Sequence, residues 1–311
     1  MSGTFYNPLL TPEGPDPWLM FHEGFYYFSV TRGDHISLRK AASILDLPQA
    51  PDVEIWRDPN PERCMHMWAP EFYFLDGRWY LYYTASGKNH LHHRCFVLES
   101  EGTDPMGPYH FKAKLLTDVN DSFYAIDGSA LRLASGQTLF FYAGFPDHRI
   151  FMAEMSNPWT LKGERKMLKA SGFGCREVRE GPIPLVRNGR IFLIYSICDT
   201  AKPDYKLGML VADEKADLLD PKSWKQFRKP VFERCDANGV YGPGHNSFFR
   251  SPDGTQDWIC YHAKATTRFT CKGRTPRIQQ FFWDKNGFPE FGAPLSLKTP
   301  IPLPSGDPGR Q

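Results

Sequence analysis

Apolar residues fall along this 311-residue chain in short dense runs, each entered through a turn. Five runs share one form: GFYYFSV from Gly24, GRWYLYYTAS from Gly77, GQTLFFYAGF from Gly136, GRIFLIYSI from Gly189 and GTQDWICYHA from Gly254. Their glycines stand 53, 59, 53 and 65 residues apart. Near-continuous apolar runs of this length suit strands covered on both faces. Each has a partner segment just upstream (DPWLMFHE, APEFYFLD, DGSALRLAS, EGPIPLVRN, HNSFFRSPD), joined by turns such as HEG, LDG or RNG. Two strands so joined form a hairpin. Several copies continue into a third apolar segment and a Pro-containing loop before an aromatic, as in FMAEMSNPWTL. A repeat of this length holding four short strands is a propeller blade. The pattern predicts an all-β chain: a five-bladed β-propeller of four-stranded antiparallel blades around a central channel, forming one domain over 1–311. Two segments, 37–47 and 213–220, read as one or two helical turns halted by Pro48 and Pro221.

Composition agrees with short strands and tight turns: aromatics are 15% of the chain, with 26 Gly and 27 Pro. Lys and Arg (37) nearly balance Asp and Glu (35), which argues against a nucleic-acid partner. No apolar run approaches the roughly 18 residues needed to cross a bilayer, so no membrane partner is expected. The N-terminus shows no basic segment followed by an apolar one, so the expected location is cytoplasmic, or extracellular after removal of a signal. Seven scattered Cys without a CxxC pair read as buried thiols rather than a disulfide framework. NHLHHR (89–94) reads as a solvated loop near the channel mouth.

Counting back from the turn glycines aligns Asp16 and Ala69, each 8 residues before, with Asp127, Glu180 and His245, each 9 before. Inner strands of a propeller flank its channel, so these positions converge at one end of the axis. Taken singly, Asp-Pro, Asp-Gly and Glu-Gly are ordinary turn chemistry. In register, three carboxyls around one polar channel suit glycoside hydrolysis. That reaction needs one carboxyl protonated to donate to the leaving oxygen and another ionised to act on water or the sugar. A third carboxylate nearby keeps the acid protonated by like-charge repulsion.

At these residues the chain resembles glycoside hydrolase family 43. The motifs NPLL…GPDPW, HMWAPEF, AIDGSAL, REGPIPLV, GPGHNSFF and RTPRIQQFFWD occur in family order. The resemblance implies an inverting single displacement with Asp16 as general base, Glu180 as general acid and Asp127 as its pKa modulator. It implies an axial role for His245, either beside a calcium or other ion in the channel or hydrogen-bonded without metal. It also implies that Arg277 reaches the pocket, unless it is a blade-closing surface residue, and that Trp68 walls a sugar ring, unless it is core. No cofactor is required. The first blades look most like single-domain α-L-arabinofuranosidases, which remove terminal arabinofuranose from arabinan- or arabinoxylan-type oligosaccharides or polysaccharides. β-Xylosidase, endo-arabinanase and β-galactofuranosidase activities remain open, and a non-catalytic sugar-binding propeller is the rival from another class.

Overall fold

The computed structural model describes residues 3–146 and 148–310. Among them the strands form five four-stranded antiparallel blades and one two-stranded ribbon. Blade I holds Trp18–His22, Phe25–Ser29, Ile36–Ala41 and Val53–Trp56. Blade II holds Met65–Leu75, Arg78–Ser86, Arg94–Ser100 and Tyr109–Lys114. Blade III holds Ala125–Arg132, Thr138–Gly144, Arg149–Asn157 and Thr160–Met167. Blade IV holds Arg179–Arg187, Arg190–Ile197, Lys206–Asp213 and Lys225–Gln226. Blade V holds Tyr241–Arg250, Asp257–Lys264, Thr275–Trp283 and Pro289–Glu290.

The five apolar runs are the second strands, and their continuity has a packing cause. In blade II, Leu81 and Tyr83 pack into a cluster shared with blade I, while Tyr80 and Tyr82 pack into one shared with blade III. Equivalent clusters join III to IV, IV to V and V to I, which closes the ring. Each fully buried large side chain contributes roughly 1.5–3 kcal/mol by leaving water. At segments 37–47 and 213–220 the helical expectation fails. Ile36 and Leu38 pack into the blade I–II cluster, so the first segment extends as strand Ile36–Ala41 before a turn. Residues after strand Lys206–Asp213 form turns, and Pro221 opens a single 3-10 turn, Pro221–Ser223, rather than ending a helix.

Closure of the ring uses the N-terminal segment. Thr4–Phe5 pairs with Ile301–Pro302. The Asn7 side chain bonds both backbone groups of Ile278, and the N–H groups of Leu9 and Gly14 donate to Pro276 and Arg274 carbonyls. This segment thereby lines the third strand of blade V and delivers Asp16 beside Arg274. The expectation of free thiols is also corrected: Cys175 and Cys198 form a disulfide, bridging the loop before the first strand of blade IV to the residue after its second. Separated by 23 residues, the two meet only because the blade IV hairpin folds back. Cys64, Cys95, Cys235, Cys260 and Cys271 are free.

Candidate active site

One residue near the start of each inner strand adopts the left-handed conformation: Asp16, Ala69, Asp127, Gly181 and His245, with φ of 53°, 46°, 55°, 53° and 46°. Such a backbone costs a non-glycine residue roughly 1–2 kcal/mol, so four side chains hold it against their preference. Each lies six residues before the last paired position of its hairpin: His22, Leu75, Leu133, Arg187 and Ser251. Glu180 is therefore not in line with Asp127 and His245; Gly181 is. Counting from the glycines erred because the hairpins of blades III and V close through longer loops, at Leu133–Gln137 and Ser251–Gln256.

The left-handed turns are pinned by the preceding blade. Ala69 N–H donates to Thr31 Oγ1 (2.8 Å), Asp127 N–H to Thr84 Oγ1 (3.0 Å), and His245 N–H to Ser196 Oγ (2.8 Å). Asp16 N–H donates to His262 Nδ1 (3.1 Å). In blade III the equivalent position is Ala143, opposite Ile126, which has no acceptor. Gly181 N–H turns instead to Asp127 Oδ2 at 3.0 Å. The missing hydroxyl thus couples Asp127 directly to the backbone beside Glu180.

Asp16 is nearly buried, and its Oδ2 accepts from Thr31 Oγ1 at 2.8 Å. Its Oδ1 faces His245 Nδ1 at 3.3 Å and Arg274 Nη1 at 3.2 Å. Burial alone would raise the pKa, but the electrostatic pull of the neighbouring His245 and Arg274 holds the carboxyl well below its usual range. His262 Nδ1 lies 3.4 Å from Asp16 Oδ1, yet it already accepts the Asp16 amide and cannot donate to the carboxylate. Burial pushes His262 down to about 3, so the ring is neutral.

Glu180 has the opposite tuning. Burial first, and the Asp127 charge second, raise its pKa; Tyr205, whose hydroxyl donates to Glu180 Oε1 at 2.8 Å, and His245 pull the other way without prevailing. Asp127 is raised in turn by burial and by Asp16, while the Gly181 N–H favours its charged form. Glu71, buried on the first strand of blade II, accepts from Tyr73 and Ser129 (2.6 Å each), and burial pushes it up to about 8. The channel end therefore holds one firmly ionised carboxylate, Asp16, and beside it the coupled pair Asp127 and Glu180, in which the charge of Asp127 favours keeping a proton on Glu180. Glu177 is exposed and paired with Lys202, away from this tuning.

The other anticipated residues divide. Trp68, immediately before Ala69, lies over His93 with ring centroids 4.0 Å apart. His93 is buried and lowered to about 4 by burial and by His66 and His90, so part of NHLHHR packs against Trp68 instead of being solvated. Arg277 is fully buried within blade V, reaching Thr275 Oγ1 and the Ala263 carbonyl at 3.4 and 3.5 Å. The arginine that meets Asp16 is Arg274, three residues earlier, because the strand Thr275–Trp283 begins only after it. His245 Nε2 is buried without a protein partner. Among the described residues no three His, Cys, Asp or Glu side chains converge as a metal site. The residues present thus offer a channel ion one imidazole nitrogen and no ligand cage, and no chemical step below passes through one.

A five-bladed ring with oppositely tuned carboxyls at one end of its axis is the architecture of a sugar-cleaving enzyme. Sequence comparison agrees: this chain belongs to the glycosyl hydrolases family 43, whose family model matches residues 5–289. It is 34% identical over 314 residues to an extracellular exo-α-(1→5)-L-arabinofuranosidase of Streptomyces avermitilis, covering 95% of this chain and 64% of that protein. It is 33% identical to α-L-arabinofuranosidase 43 of Humicola insolens, covering 96% of this chain and 66% of the relative. The chain thus spans about two thirds of the length of these curated relatives. The crystal structure of an α-L-arabinofuranosidase from Lactobacillus brevis superposes with a TM-score of 0.87 at 33% identity, covering 95% of this chain and 98% of that one.

Proposed function

We propose that this protein is an inverting, exo-acting α-L-arabinofuranosidase that releases terminal arabinofuranose from arabinan- or arabinoxylan-type oligosaccharides. The observation that carries the reading is the opposed tuning of two carboxyls at one channel end: Asp16 held ionised by Arg274 and His245, and Glu180 held protonated by burial and Asp127. Asp16 takes a proton from water as the water oxygen bonds to the anomeric carbon. Glu180 gives its proton to the glycosidic oxygen as the bond to that carbon breaks. Asp127 keeps Glu180 protonated until then and fixes the adjacent backbone through Gly181. Trp68, backed by His93, offers an aromatic face for the sugar.

The choice of arabinofuranose is supported by relatives named for that activity at 33–34% identity. The Cys175–Cys198 bridge, together with the extracellular naming of the Streptomyces relative, supports an oxidising, extracellular setting. The deciding experiment measures release of p-nitrophenol from the α-L-arabinofuranoside and the β-D-xyloside, with proton NMR of the first-formed product. Turnover of the arabinofuranoside to the opposite anomer is expected. Preference for the xyloside would replace the substrate, and retention of configuration would make Asp16 a nucleophile instead of a base.

A further inference from the structure

Two aromatic rings lie between the proposed base and the proposed acid. His262, fully buried on the second strand of blade V, accepts the Asp16 amide through Nδ1, and its Nε2 meets Thr200 Oγ1 at 3.3 Å. With Nδ1 accepting, the proton sits on Nε2 and donates to Thr200. Tyr205, also fully buried, donates from its hydroxyl to Glu180 Oε1 at 2.8 Å. The two rings are stacked, with centroids 5.5 Å apart and planes within 10°. One end of the stack thus holds the backbone of blade I and the other holds a carboxyl of blade IV, across the whole sector of blade V.

The surroundings fix the stack. Lys264, fully buried, donates to the carbonyls of Ala201 (2.6 Å), Thr270 (3.1 Å) and Thr200 (3.4 Å), which immobilises the loop carrying both Thr200 and Tyr205. Gly242 N–H donates to Pro203 O of the same loop at 2.7 Å. A Cβ at Gly244 would run into the Tyr205 ring, so glycine there leaves the ring its place.

We propose that His262 and Tyr205 are positioning residues: a stacked spacer that sets the distance between the Asp16 and Glu180 carboxyls. This rests on the inverting reading above, in which that distance must admit a water molecule, roughly 6.5–9.5 Å. Asp16 and Glu180 stand on blades I and IV, which do not pack on each other directly but through blade V. The ring pair is a direct hydrogen-bonded link across that sector, from the Asp16 amide to the Glu180 carboxyl.

Two variants separate the spacer from its hydroxyl. Tyr205→Phe keeps both rings but removes the donor on Glu180. The groups facing Glu180 are then Asp127, His245 and Asp16, and loss of a donor that favours the ionised form moves the alkaline limb of kcat/KM to higher pH. His262→Asn keeps an amide acceptor within reach of the Asp16 N–H but removes the stack. Its kcat is expected to fall about 10²-fold, alike on aryl arabinofuranoside and arabino-oligosaccharide, with KM changing much less, as for a misplacement of about 1 Å. A crystal structure of that variant should show the carboxyl separation changed by about that amount. A folded His262→Asn enzyme with wild-type kcat, or one with an unchanged separation, overturns the spacer. If that variant does not fold, the crystal structure of Tyr205→Phe decides, because there Glu180 is cut from its end of the stack, and an unchanged carboxyl separation overturns the role of the pair. A wild-type enzyme that acts on neither aryl sugar defeats the functional reading instead, while the separation in His262→Asn still tests the spacer.

Discussion

Replacing Asp127 by Asn isolates what its charge does, because the amide oxygen can still accept the Gly181 N–H that Asp127 Oδ2 now holds at 3.0 Å. In the proposed mechanism Glu180 is the proton donor, so the reaction should run at pH values below its pKa and fail above it. Two causes raise that pKa, burial first and the Asp127 charge second. An opposite charge beside a carboxylate moves its pKa by about 1–3 units and a like charge acts in the reverse sense; as the second cause here, it places the expected change near the lower end, about one unit. One unit corresponds to about 1.4 kcal/mol of differential stabilisation. The alkaline limb of kcat/KM should therefore move about one unit towards acid in Asp127→Asn, leaving a still-raised Glu180 held up by burial. Asp127→Ala removes the charge and also orphans the buried Gly181 N–H, adding a stability loss of about 1–3 kcal/mol that the Asn variant escapes. The assay is kcat/KM across pH for both variants on aryl arabinofuranoside, with thermal melts alongside. An unmoved alkaline limb in Asp127→Asn would refute the charge argument. Equal melting temperatures for the Asn and Ala variants would refute the role of the Gly181 hydrogen bond.

Asp16→Ala should lose activity on every substrate, about 10²–10⁴-fold, whereas Glu180→Ala should keep proportionally more on aryl glycosides, whose leaving group needs little protonation; equal losses on both substrate types would remove Glu180 from the role of acid. Glu71 ionises near pH 8 in the folded chain against an ordinary value of 4.5, so it adds stability below about pH 4.5 that drains away as pH rises to 8. Glu71→Gln should flatten the dependence of unfolding free energy on pH across that window by a few kcal/mol, on the order given by linkage, and chemical denaturation at pH 5 and 8 measures it. Reducing Cys175–Cys198, or replacing both by Ser, should lower stability by about 3 kcal/mol, as a loop of 23 residues implies; a melt unchanged by reductant counts against the bridge.

The blades were legible because one signal repeats: a turn glycine before a strand apolar on both faces, such as WYLYY from Trp79, which neighbouring blades then sandwich. That the inner-strand carboxyls meet at one channel end was legible for the same reason. The register at Glu180 was not, since a turn glycine marks a hairpin's end only when every hairpin loop has the same length. Arg274 was missed in favour of Arg277 because the motif shows which arginines are present and not where the strand begins. Tyr205 and His262 carry no local motif: each acts on a residue from another blade, at sequence separations of 25 and 246. A weak trace of His262 existed, since it occupies the place that Thr31, Thr84 and Ser196 fill elsewhere. The disulfide left none, because its two halves become neighbours only when a hairpin folds.

The closure of blade V by the N-terminal segment has a consequence for biosynthesis. Asp16 leaves the ribosome well before the partners that define its chemistry, His262 and Arg274, which lie 246 and 258 residues further along. Blades I to IV can gather in order as they emerge, yet until the last blade arrives Asp16 has neither its amide anchor nor its guanidinium neighbour. A nascent or truncated chain lacking blade V would carry the channel carboxyls without the electrostatics that hold Asp16 ionised. Hydrolytic competence should therefore arise in a single step, when blade V closes on the segment that carries Asp16.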